Sequence, residues 1–113
     1  MEKLTDLNTQ VAITLLRQGE ITSVELTRAS LEQINRLEPS IHAFITLTAE
    51  QALEQAARAD KRIQKIRETD SESFPPLLGI PIVVKDVLCL KGIRCTCGSR
   101  ILENFIAPYT ASA

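Results

Sequence analysis

The run PLLGIPIVVKD, Pro76 to Asp86, carries an apolar stretch into a lysine. Lys85 is the side chain here with the most chemistry to offer. An amine kept dry by apolar surroundings loses part of its preference for the charged form. A neutral lone pair then becomes accessible near neutral pH and can accept a proton from a hydroxyl. Serine–lysine enzymes use such a base to activate a nucleophile. The plainer alternative is a lysine at a strand end that lays its stem on apolar surface and carries its ammonium out to water. Lys85 by itself leaves both open. Asp86 is a poor charge partner for it, because neighbours on a strand face opposite ways. An ion pair would also hold the amine in its charged form.

Other polar and thiol side chains follow closely. Thr96 and Ser99 could hydrogen-bond a neutral Lys85 and aim its lone pair, or they could serve the turn around Gly98. Cys89, Cys95 and Cys97 suggest a metal at first sight. A structural zinc site wants four ligands in tight pairs, and His42, the single histidine, is far off in sequence. The thiols therefore read as small buried side chains lining the wall beside the lysine. Neither a metal nor a cofactor site is expected. Arg58, Lys61, Arg62 and Lys65 make a basic helix face, but Glu54 and Asp60 interleave with it, so it reads as solvated rather than as a nucleic-acid contact.

The elements that must hold these residues begin with helices. Leu4, Leu7, Val11 and Leu15 form one apolar stripe, with Thr5 or Asp6 as a possible cap and Gly19 as the stop. Thr22 and Glu25 have capping-box spacing, with Ile21 and Leu26 as a hydrophobic staple. Val24, Leu31, Ile34 and Leu37 then line a second helix, which Pro39 is expected to end. HAFITL, His42 to Leu47, is rich in strand formers, with His42 as the connector into it. Thr48 and Gln51 repeat the capping spacing. A third helix follows, with Ala49, Ala52, Ala56, Ala59, Ile63 and Ile66 on one face. Glu68 to Pro76 reads as a surface loop. Leu77 to Leu90, apolar on both faces, predicts a strand inside a sheet covered on both sides. Arg100 to Phe105 predicts one helical turn, and Thr110 the cap of a further helix.

Composition excludes several classes. Thirteen basic against fourteen acidic residues in 113 leave a net charge of -1, which provides no footprint for nucleic acid or an anionic membrane. No apolar run reaches membrane-spanning length. The N-terminal MEKLTDLNTQ lacks a signal core, and the odd cysteine count suits free thiols; a cytoplasmic protein is expected. A two-sided strand with only residues 42–47 to pair with implies more sheet than 113 residues encode. The chain therefore reads as part of a longer protein, 1–68 mostly helical and 77–113 opening a catalytic core.

The spacing of Gly79, Ile80, Pro81, Lys85 and Asp86 resembles the G-I-P-x-x-x-K-D strand of the amidase signature family. GEITSVELTRA (Gly19 to Ala29), IHAFITL (Ile41 to Leu47) and SRILENF (Ser99 to Phe105) with Pro108-Tyr109 are similar to its tRNA-dependent amidotransferase branch. The resemblance implies an α/β fold, with amino-terminal helices and the first strands of a mixed sheet covered by helices. It implies a Ser–cisSer–Lys triad in which Lys85 is the base, and glutamine as the source of ammonia. Subunits B and C of a heterotrimer and a misacylated tRNA are the implied partners, with ATP used by the full complex. Both triad serines belong to a glycine- and serine-rich segment. The four glycines here, Gly19, Gly79, Gly92 and Gly98, are never adjacent, so the chain alone is expected to be inactive. A stand-alone amidase of small amides and a non-catalytic helical docking module are the other functions considered.

Overall fold

The computed structural model describes residues 3–69 and 73–112. Among these, regular structure comprises a one-turn 3-10 helix, Leu4–Asp6, and three α-helices: α1 Thr9–Gln18, α2 Ser23–Ile41 and α3 Ala49–Thr69. The chain divides into two compact units. One is Met1–Ile41 with Thr48–Pro81, and the other is His42–Leu47 with Ile82–Ala113.

In the first unit the helices begin and end where local chemistry directs. α1 starts at Asn8, whose side chain accepts from the Val11 amide at 2.9 Å. This corrects the expected cap at Thr5 or Asp6, which lie in the separate 3-10 turn. The buried stripe also differs from the expected one. Ala12 and Leu16 are buried, Leu15 is half-buried, and Val11 is exposed. Gly19 closes α1 with a left-handed φ of 75°. Its amide and that of Glu20 reach back to the Leu16 and Leu15 carbonyls.

The start of α2 satisfies every amide that a helix leaves without a partner. Thr22 N–H donates to Glu25 Oε2 at 3.3 Å, and Glu25 N–H donates to Thr22 Oγ1 at 3.1 Å, which is the expected capping box. The amides of Ser23 and Val24 donate to the Asp60 carboxylate, at 2.6 and 3.1 Å. Asp60 lies on α3, so one helix caps another. Replacing Asp60 by alanine leaves two amides without acceptors and should cost about 1–2 kcal/mol. Urea denaturation checks this, and an unchanged midpoint would remove the capping role.

Pro39 lies inside α2, which continues to Ile41 and not to the expected stop before it. A proline in the last turn forfeits only the bond to the Asn35 carbonyl, and Asn35 is exposed to water. His42 follows at a left-handed φ of 53°. α3 presents the expected face, with Ala56, Ile63 and Ile66 buried. α3 packs chiefly on α2. The core gathers Ala12, Leu16, Leu26 and Ile63, bordered by Leu4, Leu7, Ile21, Phe74, Leu78 and Ile80. The Arg17 guanidinium sits 4.8 Å from the centroid of the Phe74 ring.

The expected strands are not formed. Among the described residues there is no strand, only an isolated antiparallel bridge between Arg94 and Ile106. Residues 42–47 have no regular structure, residues 76–79 turn, residues 80–85 run without a ladder, and a second turn spans 86–87. A strand requires a neighbour to exchange hydrogen bonds, and no partner for either segment occurs among the described residues. Glu68 and Thr69, expected in a loop reaching Pro76, belong to α3, and residues 70–72 lie outside the described residues. Residues 100–105 close tight i→i+3 turns rather than an α-helical turn. Among the described residues no helix follows Thr110, and its hydroxyl accepts from the Lys91 amide.

Candidate functional site

The second unit carries Lys85. Antiparallel main-chain bonds hold it together. Cys95 N–H donates to Phe105 O, Ala107 N–H to Ile93 O, and Ala111 N–H to Cys89 O, at 2.8–3.0 Å. A tight turn, Ile93 N–H to Leu90 O, folds the first of these segments back on itself. Arg94 bonds the Glu103 carbonyl through Nε and reaches Thr46 Oγ1 through Nη1 at 3.4 Å.

Lys85 opens a turn in which its carbonyl accepts from the Leu88 amide at 3.0 Å. Its side chain is exposed. Ile82 and Val83 just before it are 72% and 74% exposed.

Asp86 organises the unit. Its carboxylate accepts from the Thr96 amide at 3.0 Å, from the Thr96 hydroxyl, and from the Gly98 amide at 3.3 Å. Its carbonyl accepts from the Cys97 amide at 3.2 Å and the Cys95 thiol at 3.1 Å. Thr96, 3% exposed, directs its hydroxyl proton to Asp86 and accepts from Gly98 N–H at 3.1 Å. Ser99 N–H closes the turn onto Thr96 O at 2.8 Å, and Ser99 Oγ accepts from the Ile101 amide. Cys97 and Gly98, at the centre of that turn, have φ of 51° and 71°, the signs of a type I′ turn. The structure thus gathers Thr96, Ser99 and Asp86, and Thr96 bonds Asp86. Sequence reasoning weighed Asp86 only as a partner for Lys85. Its bonds span nine to twelve residues, and no local spacing rule reports them.

The Thr96 hydroxyl and amide, chiefly, hold the Asp86 carboxyl below the usual carboxylate range, with Gly98 and Arg94 adding to the effect. A depressed pKa means that the unfolded chain binds the proton first. The stabilisation is therefore complete above about pH 4 and is lost as the pH falls through the lowered value. Amide exchange at Thr96 and Gly98 should accelerate over that acid range, beyond the intrinsic pH dependence of exchange. Asp86→Asn should abolish the extra acceleration. The same acid profile in both proteins would remove Asp86 from the role of organiser.

The three cysteines are free thiols. Cys95 is 3% exposed. Burial first, and then its contact with Cys89, push its thiol up to about 11. Among the described residues no group of three or more His, Cys, Asp or Glu side chains converges as a metal site.

The family model described as Amidase matches residues 25–113. The A subunit of the glutamyl-tRNA(Gln) amidotransferase of Dehalococcoides mccartyi is 53% identical over 97 residues, 86% of this chain and 19% of that protein. The proteins of the same name from Geotalea daltonii and a Cyanothece species are 50% and 52% identical, over 87% and 82% of this chain. The chain spans about a fifth of the length of these relatives. No described helix is long and apolar enough to cross a membrane.

Proposed function

Because the chain belongs to the amidase family, we propose that it is the amino-terminal part of the glutamine-hydrolysing subunit of a tRNA-dependent amidotransferase. The observation that carries this is identity of about half of the aligned residues to glutamyl-tRNA(Gln) amidotransferase proteins, over a span that includes Gly79, Ile80, Pro81, Lys85 and Asp86.

In this reading Lys85 is the base. Its neutral amine accepts the proton of a relay serine, which in turn activates a nucleophilic serine that attacks the side-chain amide of glutamine. Both serines, and the amides that would stabilise the oxyanion, belong to polypeptide beyond the triad's lysine. Ammonia released there passes to partner subunits B and C, where ATP-activated glutamyl-tRNA(Gln) accepts it. Thr96 and Ser99 act at one remove: the turn they form holds Asp86 and so fixes where Lys85 emerges. The whole domain is α/β, cytoplasmic, and builds on residues 80–85 a sheet that covers Ile82 and Val83. The exposed apolar side chains of Ile82 and Val83 support this.

The test is glutamine-dependent transamidation by the whole-length protein with its partner subunits. Hydrolysis of simple amides without partners, and no transamidation with them, would instead establish a stand-alone amidase. The 113-residue chain alone should release no ammonia from glutamine. Its exposed Ile82, Val83, Ile101 and Ile106 should make it self-associate, as light scattering would register. A monodisperse monomer would count against a covering sheet.

A further inference from the structure

The thiols of Cys89 and Cys95 face one another. Cys89 S–H donates to Cys95 Sγ at 3.8 Å, and Cys95 S–H donates onward to the Asp86 carbonyl at 3.1 Å. The approach is built into the backbone. The turn closed by Ile93 N–H on Leu90 O folds the chain between the two cysteines. Bonds from Ala111 N–H to Cys89 O and from Cys95 N–H to Phe105 O hold each cysteine in register. Cys89 is half-buried and reachable, Cys95 is buried, and Cys97 is exposed.

We propose that Cys89 and Cys95 are a redox modification site, a dithiol that a small-molecule disulfide such as oxidised glutathione closes into an intramolecular disulfide. The Cys89 thiolate attacks one sulfur of the oxidant, whose S–S bond breaks and releases one small thiolate. Cys95 then gives up its proton to solvent, its sulfur attacks that of Cys89, and the second small thiolate leaves. Two cysteine thiols are oxidised and one small disulfide is reduced to two thiols. Cys89 enters first because Cys95 is shielded. The second step quickens with pH, because the buried Cys95 holds its proton at neutrality. Closure contracts the sulfur separation from 3.8 Å to about 2.05 Å. It also removes the Cys95 hydrogen from the Asp86 carbonyl, one residue beyond Lys85. The site is therefore placed to signal oxidation to the lysine segment.

The site is tested by connectivity, not activity, so its failure and that of the amidase reading are separate. Trypsin cuts after Lys85, Lys91, Arg94 and Arg100, and so yields DVLCLK with Cys89 and CTCGSR with Cys95 and Cys97. The purified protein is treated with oxidised glutathione, remaining thiols are alkylated, and the digest is read by mass spectrometry. The expected result is DVLCLK joined to CTCGSR within one chain, with Cys97 carrying glutathione or alkyl. The link should persist in Cys97→Ser. In Cys95→Ser the reaction should stop at a glutathione adduct on Cys89. Adducts only in the native protein, a link through Cys97, a link between two chains, or a link surviving in Cys95→Ser would each overturn the proposal.

Discussion

Replacing Lys85 by alanine in the whole-length protein, assembled with its partner subunits, should lower glutamine hydrolysis by a factor on the order of 10³ or more. Members of a proton relay act as a unit, so deleting one forfeits most of the acceleration that the set provides. Lys85→Arg should fail as well, because a guanidinium keeps its proton and cannot serve as a base. Ammonia release is the readout, and unchanged circular dichroism shows that the helices persist. Turnover close to that of the native protein would remove Lys85 from the mechanism.

The exposure of Lys85 in this chain sharpens that expectation. A lysine acts as a base when its surroundings keep it dry, and the drying must come from the rest of the domain. Competitive acylation should label Lys85 in the 113-residue chain as readily as the exposed Lys61. In the whole-length protein Lys85 should be protected. Equal labelling of Lys85 in both would contradict its use as a buried base.

Gly79→Ala should destabilise the helical unit by about 2–4 kcal/mol, the sum of two separate costs. The first is conformational. Ile80 N–H bonds Leu77 O at 3.1 Å, which places Gly79 third in a β-turn, with a φ of 86°. A side chain is strained there. The second is crowding. A Cβ on Gly79 would lie 3.2 Å from Ile63 Cδ1, 3.3 Å from Ser23 Cβ and 3.4 Å from Leu16 Cδ1, one contact from each of the three helices. Leu16 is 1% exposed and has little room to yield. Ser23 Oγ donates to the Gly79 carbonyl at 2.8 Å, so displacement would also break a bond of a buried hydroxyl. Gly92→Ala is the internal control. Its φ is 80°, but a Cβ there meets nothing within 4 Å, so it should cost about 1 kcal/mol. Equal losses for the two substitutions, each measured by denaturant unfolding, would show that crowding at Gly79 contributes nothing.

Gly79 also shows how the family motif is divided. Ile80 borders the helical core and Gly79 seals it. Lys85 and Asp86 lie in the second unit, where Asp86 ties down the turn at Thr96 to Ser99. The first half of the motif is thus a packing device, and the second half places the amine.

Much of this was legible in the residues themselves, wherever the interaction lies within about one helical turn. The Thr22–Glu25 box, the Gly19 stop and the α3 face of Ala56, Ile63 and Ile66 are of that kind. The motif around Lys85 and the family it belongs to were legible too, because they depend on residue order alone. Tertiary structure decided the rest. Asp60 caps α2 across 36 and 37 residues, Ser23 reaches Gly79 across 56, and Asp86 gathers Thr96 and Gly98. The buried face of α1 is Ala12 and Leu16 because these pack with Leu26 and Ile63. Residues 42–47 and 80–85 have strand-forming composition and form no strand, because a ladder needs a second segment beside it. Capping and periodicity are encoded in neighbours along the chain, whereas pairing, burial and the dryness of an amine depend on what the folded polypeptide brings alongside.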